Sequence, residues 1–116
     1  MFNPEWIGKD PSTDADMART FLYHDCPPEI AEWALTTRTP WYPEGLYAEV
    51  CPLASWPSVP SSYIICTEDR TIRPEWSRRA ARDLLGVDAI AIPGGHCPQV
   101  SRPALLADVL SGLAVT

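Results

Sequence analysis

Beyond residue 60 the chain alternates short apolar runs with amphipathic stretches. "SYIIC" (62–66) is continuous and rich in isoleucine, as expected of a strand buried on both faces of a parallel sheet. In "TEDRTIRPEWSRRAARDLLG", Pro74 and Glu75 open a predicted helix that Gly86 closes. Trp76, Ala80, Ala81 and Leu84 recur there at helical spacing, with Arg78, Arg79 and Arg82 on other faces. "VDAIAI" (87–92) predicts a second strand and "PGGHCPQVS" a loop. "RPALLADVLSGLA" predicts a last helix with Leu105, Leu106, Val109 and Leu110 turned inward. Strand–helix–strand–helix is the unit of an α/β fold with right-handed crossovers.

The first sixty residues have another texture. They hold nine of the thirteen prolines and four of the five tryptophans, Trp6, Trp33, Trp41 and Trp56. "PSTDADMARTFLY" predicts a short helix capped by Ser12 or Thr13, with Met17, Phe21 and Leu22 on one face. "DCPPEIAEWALTT" predicts a second, capped by Asp25 or Cys26, with two prolines in its first turn and Ile30, Trp33 and Ala34 buried. "RTPWYPEGLYAEVCPLASWPSVPSS" is loop by its punctuation. So long an irregular stretch inside a compact domain suits a lid, a binding loop or a linker.

Length and charge narrow the function classes. A chain of 116 residues makes one domain with a modest core. Its net charge of −6 and single lysine, Lys9, argue against a nucleic-acid or anionic-membrane partner, because both reward clustered cations. No apolar run approaches the roughly 20 residues that span a bilayer. "MFNPEWIGKD" lacks the basic start and apolar core of a secretory signal, so a cytoplasmic location is expected. Cys26, Cys51, Cys66 and Cys97 form no C-x-x-C pair and are expected to be reduced packing residues, with neither zinc nor cofactor.

The candidate chemistry lies just past the two predicted strands. Asp69 follows the run ending at Cys66, and His96 follows the run ending at Ile92. In a parallel βαβ unit both loops leave the carboxyl edge of the sheet, where α/β proteins place ligands. Adjacent strands are only about 4.8 Å apart, so the carboxylate can reach the imidazole. An aspartate accepting Nδ1–H fixes the tautomer, leaves Nε2 free as a base and stabilises the imidazolium. Gly94 and Gly95 suit a tight loop carrying the ring over the edge. Glu68 is one residue away and competes as the acid. Each residue alone also reads as an ordinary loop side chain.

"YIICTEDRTIRPEW" followed by "IPGGHCPQVSRPALLADVL" resembles the C-terminal section of α/β-hydrolase fold enzymes. The likeness is nearest to the group of plant methylesterases, hydroxynitrile lyases and bacterial esterase relatives. There a "YI…(T/E)xD" loop carries the triad acid and a "(G/A)(G/D)H" loop the triad histidine, which places these roles on Asp69 and His96. "FLYHDCPPEIAEWAL" is similar to a helical cap segment of bacterial members, and the likeness runs from about residue 18 to 113. His24 matches no triad role and reads as a surface or packing histidine.

The resemblance implies a partial α/β-hydrolase fold. Residues 1–60 would form a cap-like, Pro-rich segment, and 61–116 the last two parallel strands with their helices. It also implies hydrolysis of a small apolar ester. The serine of these enzymes sits in a G-x-S-x-G elbow, and this sequence contains none. Ser55 and Ser111 lack the flanking glycines. Cys97 neighbours His96, but adjacent loop side chains diverge. A truncated or split product, nearly inactive alone, is therefore expected. The exposed edge of its first strand would pair with another copy or another chain. The alternative is a non-catalytic binding or dimerisation module. Lyase chemistry would need the same serine.

Overall fold

The structure, a computed structural model, describes residues 1–6, 8, 10–39 and 48–115. Two parallel strands form the sheet, β1 (Ile64–Cys66) and β2 (Ile90–Ile92). They align Ile64 with Ile90, Ile65 with Ala91 and Cys66 with Ile92. Both are three residues long, shorter than the apolar runs that announced them. Ile65, Cys66 and Ile92 are buried, whereas Ala91 is exposed. The sheet is therefore covered on both faces along β1 but not along β2.

The crossover between the strands is α3 (Pro74–Ala80), continued as a π-helical turn over Ala81–Leu85 and closed by Gly86 at φ 68°. Pro74 supplies a first-turn residue that needs no N–H partner. The wider turn rotates the positions that follow it out of the 3.6-residue phase. Leu84 consequently leaves the buried stripe on which Ala80 and Ala81 remain, and is 65% exposed. Leu84 thus leaves the face on which its helical spacing with Ala80 and Ala81 placed it.

α1 (Ala15–Phe21) begins one residue later than the hydroxyl caps suggested. Asp14 is the cap, its carboxylate accepting the N–H groups of Asp16 and Met17. The Ser12 and Thr13 hydroxyls turn instead to the Asp10 carboxylate. α2 (Pro28–Thr37) has Pro27 at its N-cap and no side-chain cap at all. The Asp25 carboxylate that could have served is used elsewhere. Ala31 and Ala34 form the buried face of α2, while Trp33 is 58% exposed, which corrects the expected burial of Trp33. Residues 48–62 carry no helix or strand, as the punctuation indicated; residues 40–47 of that loop lie outside the described set.

α4 (Pro98–Ser101) and α5 (Pro103–Ala114) complete the chain. Leu105, Leu106 and Val109 are half-buried and Leu110 is 50% exposed, so α5 buries less than its pattern promised. A two-stranded sheet is too narrow to cover it.

The main apolar cluster joins Ala18, Tyr23, Ala31 and Ala34 to Leu22, Cys26, Leu35, Cys97 and Val100. The first two helices thus pack on the segment that follows His96. The chain start is tied down too. Phe2 bridges to Ile72 in antiparallel sense, Asn3 N–H donates to the Thr71 carbonyl, and Arg73 N–H donates to that of Met1. Residues 1–3 therefore back the loop that carries Asp69.

Candidate functional site

Asp69 stands three residues past the end of β1, in a turn closed by its own side chain. Oδ1 accepts the N–H groups of Thr71 (2.7 Å) and Ile72 (3.0 Å). This Asx turn is a local consequence of an aspartate ahead of two free backbone donors. Thr71 is buried, and its hydroxyl donates to the Phe21 carbonyl at 3.0 Å. The turn is thereby fastened to the end of α1.

The other oxygen of the same carboxylate faces His96. Asp69 Oδ2 and His96 Nδ1 are 2.9 Å apart, with the two side chains 14% and 29% exposed. The carboxylate can only accept, so Nδ1 carries a proton, and in the neutral ring Nε2 is the nitrogen with the free lone pair. Burial pushes the Asp69 carboxyl up. The hydrogen bonds from His96, Ile72 and Thr71 outweigh it and hold the group below the ordinary aspartate range. Asp69 is therefore an anion at neutral pH, suited to orient the ring and to stabilise its charged form.

Glu68 does not compete for the histidine. Its backbone N–H donates to the Gly94 carbonyl (3.0 Å), and its Oε2 accepts Gly94 N–H (2.8 Å). Thr67 N–H donates to the Ile92 carbonyl, so the ladder of the sheet runs on into the two loops. Gly94 has φ 116°, a region closed to most side chains.

Two cavities meet at His96. A cleft of about 330 Å³ runs along β1, from Tyr63 and Ile65 to Asp69, Ser77 and His96. A second of about 370 Å³ is walled by Phe2, Trp6, Leu22, Ile72 and His96. Phe2 and Trp6 stack at 4.5 Å to form one side of it. Neither aromatic was singled out for this place by the sequence reading, because only the pairing of residues 1–3 with 71–73 brings them there.

Three of the cysteines sit in surroundings that disfavour the thiolate. Burial, with help from Cys26 and Asp69, pushes the Cys97 thiol up to about 12, and burial also raises those of Cys66 and Cys26. Ser55 and Ser111 are exposed, Ser111 on α5 and Ser55 in the long loop. Among the described residues no group of three His, Cys, Asp or Glu side chains could hold a metal ion.

Residues 2–109 match the sequence model of the α/β hydrolase family. The chain belongs to the α/β hydrolase family. The match begins well ahead of the motif-bearing stretch and takes in both textures of the sequence. An α/β hydrolase of Aspergillus novofumigatus (strain IBT 16806), nvfD, is 30% identical over 102 residues. The aligned region is 87% of this chain and 40% of that relative, so the chain spans less than half the length of the protein it resembles. No helix among the described residues is long and apolar enough to cross a membrane.

Proposed function

We propose that this α/β hydrolase chain supplies the acid and the base of an ester-cleaving triad, Asp69 and His96, to a serine lying outside its 116 residues. The single observation that carries the reading is the 2.9 Å contact between His96 Nδ1 and Asp69 Oδ2, which leaves Nε2 as base at the junction of two cavities. The cleft along β1 is where a nucleophile carried by another chain or another copy would enter. The pocket walled by Phe2, Trp6 and Leu22 suits the apolar part of a small ester. Residues 1–60 act in this reading as the cap over that substrate. The free thiols of Cys26, Cys51, Cys66 and Cys97 accord with a cytoplasmic setting.

The chemistry then runs in two halves. Nε2 of His96 takes the serine Oγ proton as the oxygen attacks the ester carbonyl, and the imidazolium is held by Asp69. The same proton passes to the leaving alkoxide, freeing the alcohol. Water repeats the sequence on the acyl-enzyme and releases the acid. Without the serine, general-base help alone contributes only about 10²–10⁴-fold, so the isolated chain should barely turn over esters.

The test is p-nitrophenyl butyrate hydrolysis, by the chain alone and together with a family N-terminal half carrying the G-x-S-x-G elbow. Near-background rates alone are expected. Turnover should appear on reconstitution, disappear in His96→Ala and fall by roughly 10⁴-fold in Asp69→Asn. Efficient hydrolysis by the lone chain, abolished by Ser12→Ala or Ser77→Ala, would overturn the outside nucleophile.

A non-catalytic binding module is the second reading, favoured by the exposed apolar side chains of Leu53, Trp56, Val59 and Leu84. Unchanged partner affinity in a folded His96→Ala variant would support it.

A further inference from the structure

The turn between α1 and α2 carries a dipeptide that reaches both site loops. His24 Nε2 lies 2.9 Å from the backbone carbonyl of Glu68, the residue just before Asp69. A carbonyl only accepts, so His24 Nε2–H is the donor. Asp25 Oδ2 accepts the backbone N–H of Gly95, the residue just before His96, at 2.8 Å. These contacts span 44 and 70 residues of sequence. With the paired bonds between Glu68 and Gly94, they close a ring that passes through both loops.

The fit is tight enough to dictate sequence. A Cβ on Gly95 would stand 2.7 Å from His24 Nε2 and 2.7 Å from Asp25 Oδ1. One on Gly94 would stand 2.9 Å from Asp25 Oδ2 and 2.6 Å from Arg102 Nε. The two glycines are thus the counterpart of the dipeptide. Asp25 is enclosed at this place. Its side chain is 9% exposed, its Oδ1 is buried without a hydrogen bond, and the Arg102 guanidinium stays 3.7 Å from Oδ2. As an N-cap of α2 the same side chain would have been solvated. Its diversion to Gly95 points to a role in the loop.

We propose that His24 and Asp25 are positioning residues that hold the Asp69 and His96 loops in mutual register. This rests on the reading of those two residues as a proton relay. Neither His24 nor Asp25 touches the reacting atoms. They fix the peptide groups immediately ahead of the acid and the base, so that the Nδ1–H···Oδ2 contact is preformed rather than sampled.

The experiment uses the intact 116-residue chain and the low-field NMR signal of the His96 Nδ1 proton, assigned by its loss in Asp69→Ala. In His24→Ala and in Asp25→Ala this proton should exchange with water about fivefold faster, the effect of one lost hydrogen bond on a local opening. The circular dichroism spectrum should not change. Asp25→Asn, which keeps an acceptor for Gly95 N–H, and His24→Gln, which keeps a donor for Glu68, should restore exchange to within about twofold of the wild type.

Should an alanine variant fail to fold, the wild-type chain still decides. The Gly95 amide and the His96 Nδ1 proton must then open together as mild urea is added, and independent opening overturns the proposal. Unaltered Nδ1 exchange in both folded alanine variants also overturns it while sparing the proposed function. Absence of the low-field signal from the wild type removes the relay itself, and with it both the proposed triad role and this positioning role.

Discussion

The two loops of the site are built on opposite principles. The aspartate turn is closed by its own side chain, because Asp69 Oδ1 takes the N–H groups two and three residues ahead, and Phe21, residues 1–3 and His24 then tie that turn to the rest of the fold. The histidine loop has no such device. Gly94 and Gly95 are fastened by Glu68, 26 residues back, and Asp25, 70 residues back. An Asx turn persists as local structure even when its surroundings loosen, whereas a loop pinned by remote partners has its geometry only in the folded molecule. The site thus joins an aspartate whose turn closes locally to a histidine whose loop is closed only by remote partners, and perturbations should divide along that line.

The sharpest way to break the contrast is Gly94→Ala. At φ 116°, with Arg102 and Asp25 atoms within 3 Å of the new Cβ, strain and overlap together should cost about 3 kcal/mol. Urea unfolding measures this, and a loss below about 1 kcal/mol would mean that the histidine loop is not pinned. Asp69→Ala comes next. It strands two backbone N–H groups and the His96 ring, and should remove about 2 kcal/mol. Asp69→Asn should lose less, since the amide oxygen can still close the turn.

Acidification probes both loops at once. Asp69 and Asp25 are each held below the ordinary aspartate range. For Asp25, burial pushes upward and is outweighed by Gly95 N–H, the Ser101 hydroxyl and His24. A carboxyl whose folded value is depressed stabilises the fold fully above its unfolded value, about 3.9, and loses that contribution as pH falls through the lowered folded value. Melting temperature should therefore decline from about pH 4 downward. The decline should be shallower in Asp69→Asn and in Asp25→Asn. Equal slopes in wild type and variants would contradict the lowered values.

The smallest effect is the control. Gly86 also has positive φ, but open space where a Cβ would go. Gly86→Ala should cost only about 1 kcal/mol of backbone strain and leave the His96 signal unmoved. A loss matching that of Gly94→Ala would show that positive φ, and not the pinning, sets the penalty.

Much of this architecture was legible in the residues. The runs ending at Cys66 and Ile92 became adjacent parallel strands because β-branched apolar segments joined by an amphipathic helix bury themselves in few other ways. Asp69 and His96 met because both leave the same edge of that sheet. The misreadings have more than one cause, some local and some distant. Ser12 and Thr13 gave up their capping role to the Asp10 turn, and Asp25 gave up its own to Gly95. Leu84 was carried outward by a π turn, and Trp33 lies on the face of α2 that Ala31 and Ala34 leave exposed. His24 looked like a mere packing residue, and nothing next to it in sequence revealed that it faces Glu68.

The order of residues alone therefore decided the α/β class, the family, the strand ends and the self-closing turn of Asp69, since each depends on periodicity or on donors within three positions. Only the folded molecule decided which acid faces His96, which glycine neighbours press on which carboxylate, and which aromatic side chains of the chain start wall the pocket. Those outcomes depend on contacts tens of residues apart, and such contacts have no energy until the chain has closed upon itself.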